Sequence, residues 1–160
     1  TFIYAFLYGA GPDNIGKIVG AGKEQGKMLI KRFLSNLPAL RRLIEQVENA
    51  GRRGKIKAID GRYLKVRNAH SALNTLLQGA GAIICKHWLL RITHRVYNKK
   101  LDVKLVASVH DEYQFEVANK DVGEFCSITK IGIKETENLL KLRCPLDNDY
   151  KVGVTWAETH

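Results

Sequence analysis

Lys104-Leu-Val-Ala-Ser-Val-His-Asp-Glu-Tyr-Gln-Phe-Glu-Val117 reads as two short strands that meet at a tight acidic turn. Leu105, Val106, Ala107 and Val109 lead in. Tyr113, Phe115 and Val117 then alternate with Gln114 and Glu116, the period-2 pattern of a strand buried on one face. The turn falls on His110-Asp111-Glu112, so the hairpin carries an imidazole and two carboxylates at its tip. Such a tip has two readings. It is either a solvated turn, as acidic hairpin ends usually are, or a set of oxygen ligands for a hard cation such as Mg²⁺, which takes one or two carboxylates plus substrate phosphates.

Working outward, the sequence before this hairpin, from about Asn68 or Ala69 to Asn98, predicts one long helix with Asn68 as its cap. Leu73, Leu76, Leu77, Ala80, Ile84, Trp88, Leu89 and Ile92 form its apolar side. His70, Asn74 and Gln78 stand at i, i+4 and i+8 and make an uncharged polar stripe. Gly79 and Gly81 lower helix propensity there, which a close approach by a strand or a ligand would explain. Further upstream, Lys55-Ile-Lys-Ala-Ile59 and Arg62-Tyr-Leu-Lys-Val66 alternate around Asp60-Gly61 and predict a second hairpin. Its lysines fit a protected sheet edge or a phosphate contact equally well. Gly51-Arg-Arg-Gly54 ahead of it reads as a flexible basic joint.

The first fifty residues are helical in pattern. Phe2, Ile3, Phe6 and Leu7 form one stripe, with Tyr4 and Tyr8 at i and i+4; by periodicity alone both tyrosines could be core. A short helix over 14–20 follows, then a basic amphipathic helix over 23–36 with Met28, Leu29, Phe33 and Leu34 inward. Another starts at Pro38 and runs to Ala50. After the acidic hairpin, residues 120–141 form a last amphipathic helix, and Tyr150-Lys-Val-Gly-Val-Thr-Trp156 reads as a closing strand. The formal charge of +10 over 160 residues favours a polyanionic partner. Cys85, Cys126 and Cys144 have no metal-ligand spacing and read as buried thiols in a reducing compartment. With no apolar run of about 18 residues and no leader pattern, no membrane association is expected.

Taken in order, Phe2-Ile-Tyr-Ala-Phe-Leu-Tyr-Gly-Ala-Gly11, Gly61-Arg62, His70-Ser-Ala-Leu-Asn-Thr-Leu-Leu-Gln-Gly79 and Val109-His-Asp-Glu112 resemble the C-terminal part of a family A (DNA polymerase I-like) DNA polymerase. The likeness is to the short-tailed-phage replicative branch and runs over nearly the whole chain. It implies an α+β fold: the C-terminal part of the fingers over 1–50, then, over 51–160, part of a palm with a small antiparallel sheet backed by long helices. It implies DNA-directed DNA polymerase activity by a two-metal mechanism, with two Mg²⁺ ions about 3.5–4 Å apart. Asp111 would be the bridging metal ligand and catalytic acid, and Glu112 the supporting carboxylate. Tyr4 and Tyr8 would be nucleotide-binding, meeting the incoming dNTP's sugar and the templating base. Arg62, His70, Asn74, Gln78 and His110 would contact primer-template DNA. Asn74 and Gln78 could donate to the minor-groove acceptors that every correct base pair presents.

The same resemblance places the other catalytic aspartate and the triphosphate-binding arginine and lysine upstream of Thr1. The chain is therefore expected to be one piece of a split polymerase or an excised fragment, inactive alone and active with an upstream polymerase fragment. The apolar strand over 105–109 is expected to pair with a strand from that partner. The expected location is the cytoplasm of a bacterial or phage-infected cell. A non-catalytic nucleic-acid-binding module would account for the charge and both hairpins without using Asp111. A metal-dependent nuclease fits less well, because nucleases assemble more acidic ligands than this cluster offers.

Overall fold

The computed structural model describes residues 1–159 and confirms an α+β chain. Helices α1 (Phe2–Leu7), α2 (Pro12–Ile18), α3 (Lys23–Asn36) and α4 (Pro38–Gly51) precede strands β1 (Lys55–Lys57) and β2 (Tyr63–Lys65). The long helix α5 (Ala72–Lys99) leads to β3 (Val103–Val109) and β4 (Glu112–Val117), and α6 (Val122–Leu140) and α7 (Trp156–Thr159) complete the order. Two compact units divide it, Thr1–Ala80 and a second that starts at Gly81, so the division falls inside α5.

In the first unit, Phe2 and Phe6 of α1 set their rings against Phe33 of α3, at 5.2 and 5.3 Å between centroids. α2 and α3 meet at glycines: a Cβ on Gly26 would fall 2.0 Å from the Pro12 carbonyl oxygen, so the two helices touch backbone to backbone. Pro12 and Pro38 open their helices at a position where the missing N–H costs nothing. Met28, expected inward on α3, is exposed. Val47, Ile56, Val66 and Ala72 form the core, with Ala50, Leu64 and Leu76 packed on it. Gly51 is no loose joint: it is the buried end of α4, where a Cβ would stand 2.9 Å from that of Ala72.

The β1–β2 hairpin closes differently from the expected two-residue turn. Gly61 N–H donates to the Ala58 carbonyl at 3.0 Å and Ala58 N–H to the Arg62 carbonyl at 2.8 Å. Ile59 therefore joins a three-residue loop, and Gly61 takes φ +90°, the αL position such loops require. The register that results sets Ile56 opposite Leu64 and Lys55 opposite Lys65. A two-residue loop would have put Ile56 opposite Lys65. The extra loop residue thus sends both apolar side chains inward, where burying Ile56 stabilises by roughly 1.5–3 kcal/mol.

In the second unit, Ile92, Phe125 and Ile128 form the core, flanked by Trp88, Val96, Leu101, Val103, Phe115 and Val117. β3 and β4 pair antiparallel as a sheet of two strands, separate from β1–β2. Ile131 and Leu139 of α6 are exposed. The expected closing strand over 150–156 does not form. The Val154 N–H is taken by the Glu158 carboxylate at 2.6 Å, which removes the donor a ladder would need and stabilises the α7 turn instead. Lys130 and Lys134 of α6 tie the segment down through Asp147 and the carbonyls of Asn148 and Leu146. All three cysteines are free thiols, and Cys144 is exposed rather than buried.

Candidate functional site

The acidic hairpin of the second unit is anchored by its aromatic face. Tyr113 packs on Trp88 of α5 at 5.5 Å, Phe115 packs on Phe125 of α6 at 4.8 Å, and Trp88 Nε1 donates to the Thr129 carbonyl at 2.9 Å. The strands pair Val109 with Glu112 across a two-residue turn, His110-Asp111. His110 holds φ +54°, a left-handed conformation that costs an ordinary residue about 1–2 kcal/mol and is usual only for glycine. Further down, β3 carries one residue more than β4 between Leu105 and Ala107. Val106 is that bulge, a feature that bends a strand and re-aims its end.

At the tip, Asp111 and Glu112 are exposed, and Gln114 Nε2 donates to Glu112 Oε1, one strand pleat away. Cys85 of α5 lies close enough to register the Asp111 charge. Burial first, and that carboxylate second, push the Cys85 thiol above its ordinary range, so the thiol stays protonated. Burial, then Cys85, likewise pushes the Tyr113 phenol up. What the tip offers a metal is therefore carboxylate oxygen, the donor set of a hard divalent ion. Among the described residues no three His, Cys, Asp or Glu side chains converge. Asp111 and Glu112 fit such an ion as partial ligands, the remainder of its shell coming from elsewhere.

The first unit brings two of the predicted polar residues, His70 and Asn74, to a small cavity of about 220 Å³ lined by Tyr8, Gly9, Asn68, His70, Ser71 and Asn74. Tyr4 and Tyr8 are not core. They are 71% and 60% exposed, because Phe2 and Phe6 occupy the packed side of α1. Asn68 Oδ1 accepts from Ser71 N–H at 2.9 Å and Ser71 Oγ donates to the Asn68 carbonyl at 3.0 Å, so both serve the helix start. His70 sits in a 3-10 turn, Ala69–Ser71, ahead of α5 rather than within it, yet it still meets Asn74 and Tyr8 at the cavity. Gln78 is exposed one turn further along α5, and Tyr4 does not line the cavity. Gly79 has a packing reason: a Cβ there would stand 2.4 Å from Leu64 Cδ1, whereas nothing lies within 4 Å of the same point on Gly81.

Arg62 has a local partner: its Nε donates to Asp60 Oδ2 at 2.6 Å, and its backbone N–H donates to Asp60 Oδ1 at 3.2 Å. Burial works to raise the Asp60 carboxyl, and the bonds from Arg62 outweigh it and hold the group below the usual range. Two features escaped the sequence reading. The bulge at Val106 has no composition signal, and Cys85, 26 positions before Asp111 along the chain, comes within range of that carboxylate's charge through the Trp88–Tyr113 contact between α5 and β4.

The structure is thus a mixed α+β chain with a braced acidic hairpin in one unit and a small cavity lined by tyrosine, histidine and asparagine in the other. The comparisons give the family. A model described as DNA polymerase family A matches residues 1–158, and the chain belongs to that family. It is 40% identical to the DNA-directed DNA polymerase of Enterobacteria phage T3 and 41% identical to that of Escherichia phage T7, in each case over 100% of this chain and 26% of the relative. The DNA-directed DNA polymerase of Escherichia phage Phieco32 is 36% identical over 100% of the chain and 27% of its own length. The chain thus spans about a quarter of these curated relatives. In fold it is similar to the POL domain of Pol1 from M. smegmatis, solved in complex with DNA primer-template and dNTP. That match has a TM-score of 0.74 at 20% identity and covers 83% of this chain and 26% of that one.

Proposed function

We propose that this chain is the C-terminal catalytic portion of a DNA-directed DNA polymerase, and that it works in the cytoplasm of a bacterial or phage-infected cell. The observation that carries this reading is the acidic hairpin tip: two exposed carboxylates on a turn fixed through the Trp88–Tyr113 and Phe115–Phe125 contacts. Asp111 would hold the ions, with Glu112 in support, and the remaining carboxylate would come from an upstream polymerase fragment. Bound there, two Mg²⁺ ions supply charge neutralisation for the attacking and leaving oxygens of nucleotidyl transfer. Exposed Leu105, Val106 and Val109 on a two-stranded sheet support a further strand from the same fragment.

In this reading residues 1–50 are the C-terminal part of the fingers and 51–160 that of the palm. Tyr4 and Tyr8 face the incoming dNTP and the templating base. His70, Asn74 and Gln78 follow the minor groove of primer-template DNA, where amide donors register pair shape without preferring a sequence. His110 stands beside the primer end, and Arg62 supports the turn next to bound DNA. The test is reconstitution: the chain mixed with an upstream fragment of the same polymerase should extend a primer in the presence of Mg²⁺. Asp111→Ala should abolish extension while DNA affinity is retained. A folded mixture that stays inactive, or extension indifferent to Asp111, would refute the reading; retained DNA binding with that indifference would mark a non-catalytic binding module.

A further inference from the structure

We infer that the outer face of the β1–β2 hairpin is a binding platform for single-stranded nucleic acid, with Tyr63 stacking on an unpaired base and Lys55, Lys57 and Lys65 holding the phosphates on either side. The inference rests on the polymerase reading above for its natural ligand, the unpaired template strand, and the hairpin's own chemistry supplies the rest. Side chains directly opposite on paired strands project to the same face. The observed register, Lys55 with Lys65 and Lys57 with Tyr63, therefore puts three ammonium groups and one phenol ring on a single small surface. Ile56 and Leu64 occupy the other face and pack into the core.

Three observations point to a polyanion with exposed bases. Residues 51–67 contain seven Lys and Arg and a single acid, Asp60, which is bonded to Arg62. Lys55 and Lys65 stand directly across from each other, an arrangement of like charges that destabilises a sheet until a counter-charge sits over it. Tyr63 is 66% exposed, with Lys55 Nζ 4.8 Å from its ring centroid. An edge hairpin that carries lysines only to resist aggregation has no use for an exposed aromatic in their midst. The ring also selects the kind of nucleic acid. Phosphates alone would serve a duplex equally well, but a duplex keeps all base faces except those of its terminal pairs stacked on one another, whereas an unpaired strand offers one to tyrosine at every nucleotide.

The test is fluorescence anisotropy of the 160-residue chain with labelled oligothymidylate and, separately, a blunt duplex, each over a range of salt. Tyr63→Ala should weaken oligothymidylate binding about tenfold or more, and Tyr63→Phe should restore it. Duplex binding should change far less. Lys57→Ala and Lys65→Ala should each flatten the log affinity against log salt line by about 0.7 for the single strand. Wild-type affinity in Tyr63→Ala, an equal loss on duplex, no binding by the parent chain, or full displacement by polyglutamate at equal charge would each overturn the inference. Reconstituted primer extension separates the two readings. If Tyr63→Ala binds normally while Asp111→Ala abolishes extension, the platform fails and the polymerase stands. If binding depends on Tyr63 while extension ignores Asp111, the platform stands alone.

Discussion

The two hairpins share a topology and differ in almost everything that decides what a turn can do. β1–β2 is basic, turns through three residues, and gives its left-handed position to Gly61 at φ +90°; β3–β4 is acidic at its tip, turns through two, and gives that position to His110 at φ +54°. Where a strained position carries glycine, the turn only has to close. Where it carries another residue, the turn holds about 1–2 kcal/mol of strain, as the chain also does at Lys100 (φ +53°) and Lys141 (φ +51°). The acidic pair differs in the same sense. Asp60 is bonded to its own hairpin through Arg62, whereas Asp111 stands exposed at the apex.

The largest effect should come from removing that apical acid. Asp111→Ala is expected to lower the primer-extension rate of the reconstituted assembly by about 10³-fold or more, the scale of losing a key electrostatic group in a site of this kind. Asp60→Asn, at the tip of the other hairpin, should leave the rate within a few-fold. Comparable losses for both would erase the distinction between the turns. Single-turnover extension at saturating nucleotide is the measurement, since it reads chemistry apart from release.

Next in size is the support beneath each tip. Phe125→Ala removes a buried ring that carries Phe115, and should cost about 3 kcal/mol or more in urea unfolding. Ile56→Ala, on the other hairpin, is 3% exposed and should cost about 2–4 kcal/mol. Extension separates them further. The Phe125 variant should lose rate even at temperatures where it stays folded, because the ring positions Phe115 and through it the acidic turn.

How much of this was legible in the sequence varies by element. The helices were readable by periodicity, with Pro38 and Asn68 marking two of the starts, though α2 begins at Pro12 rather than at the expected position 14; the acidic hairpin was readable because Tyr113, Phe115 and Val117 alternate cleanly. The β1–β2 register was misread because Asp60-Gly61 is a strong two-residue turn signal. The apolar pattern held the answer, since only a three-residue loop sets Ile56 across from Leu64. The closing strand over 150–156 was unreadable for a different reason. Its alternation is real, but a carboxylate four residues on, Glu158, takes the Val154 N–H. At the candidate site, sequence order found Tyr8, His70 and Asn74, which do share a cavity. It could not find that Cys85 feels the Asp111 charge, which tertiary packing brings within range.

Smaller effects should follow from the turn glycine and its counterpart. Gly61→Ala asks an L-residue to hold φ +90° and should cost about 1–2 kcal/mol. His110→Gly relieves strain in the folded turn but loosens the unfolded chain, and the two nearly cancel, so stability should move by less than about 1 kcal/mol. Within α5, Gly81→Ala should stabilise by about 0.5–1 kcal/mol, since a Cβ there meets open space. Gly79→Ala should lose that gain, because Leu64 must move aside. Thermal melts of the four variants check the signs. A stabilised Gly81→Ala that extends poorly would show that the backbone at 81 must be approached closely by DNA.

The smallest effect is a titration, and it tests whether the basic hairpin's acid is as local as its bonds suggest. The Asp60 carboxyl lies below its ordinary range in the folded chain, burial being outweighed by the Arg62 backbone and guanidinium bonds. A carboxylate depressed on folding contributes its stabilisation fully above the unfolded value, near 3.9, and loses it as pH falls through the folded value. The Arg62 amide resonance, reporting the bond to Asp60 Oδ1, should therefore hold steady down to that range and shift only below it. Arg62→Ala should move the midpoint upward toward the ordinary aspartate value. A midpoint unmoved by that substitution would mean that the backbone N–H of residue 62, which the alanine keeps, holds Asp60 without the guanidinium, and would return the guanidinium to the set of groups facing DNA.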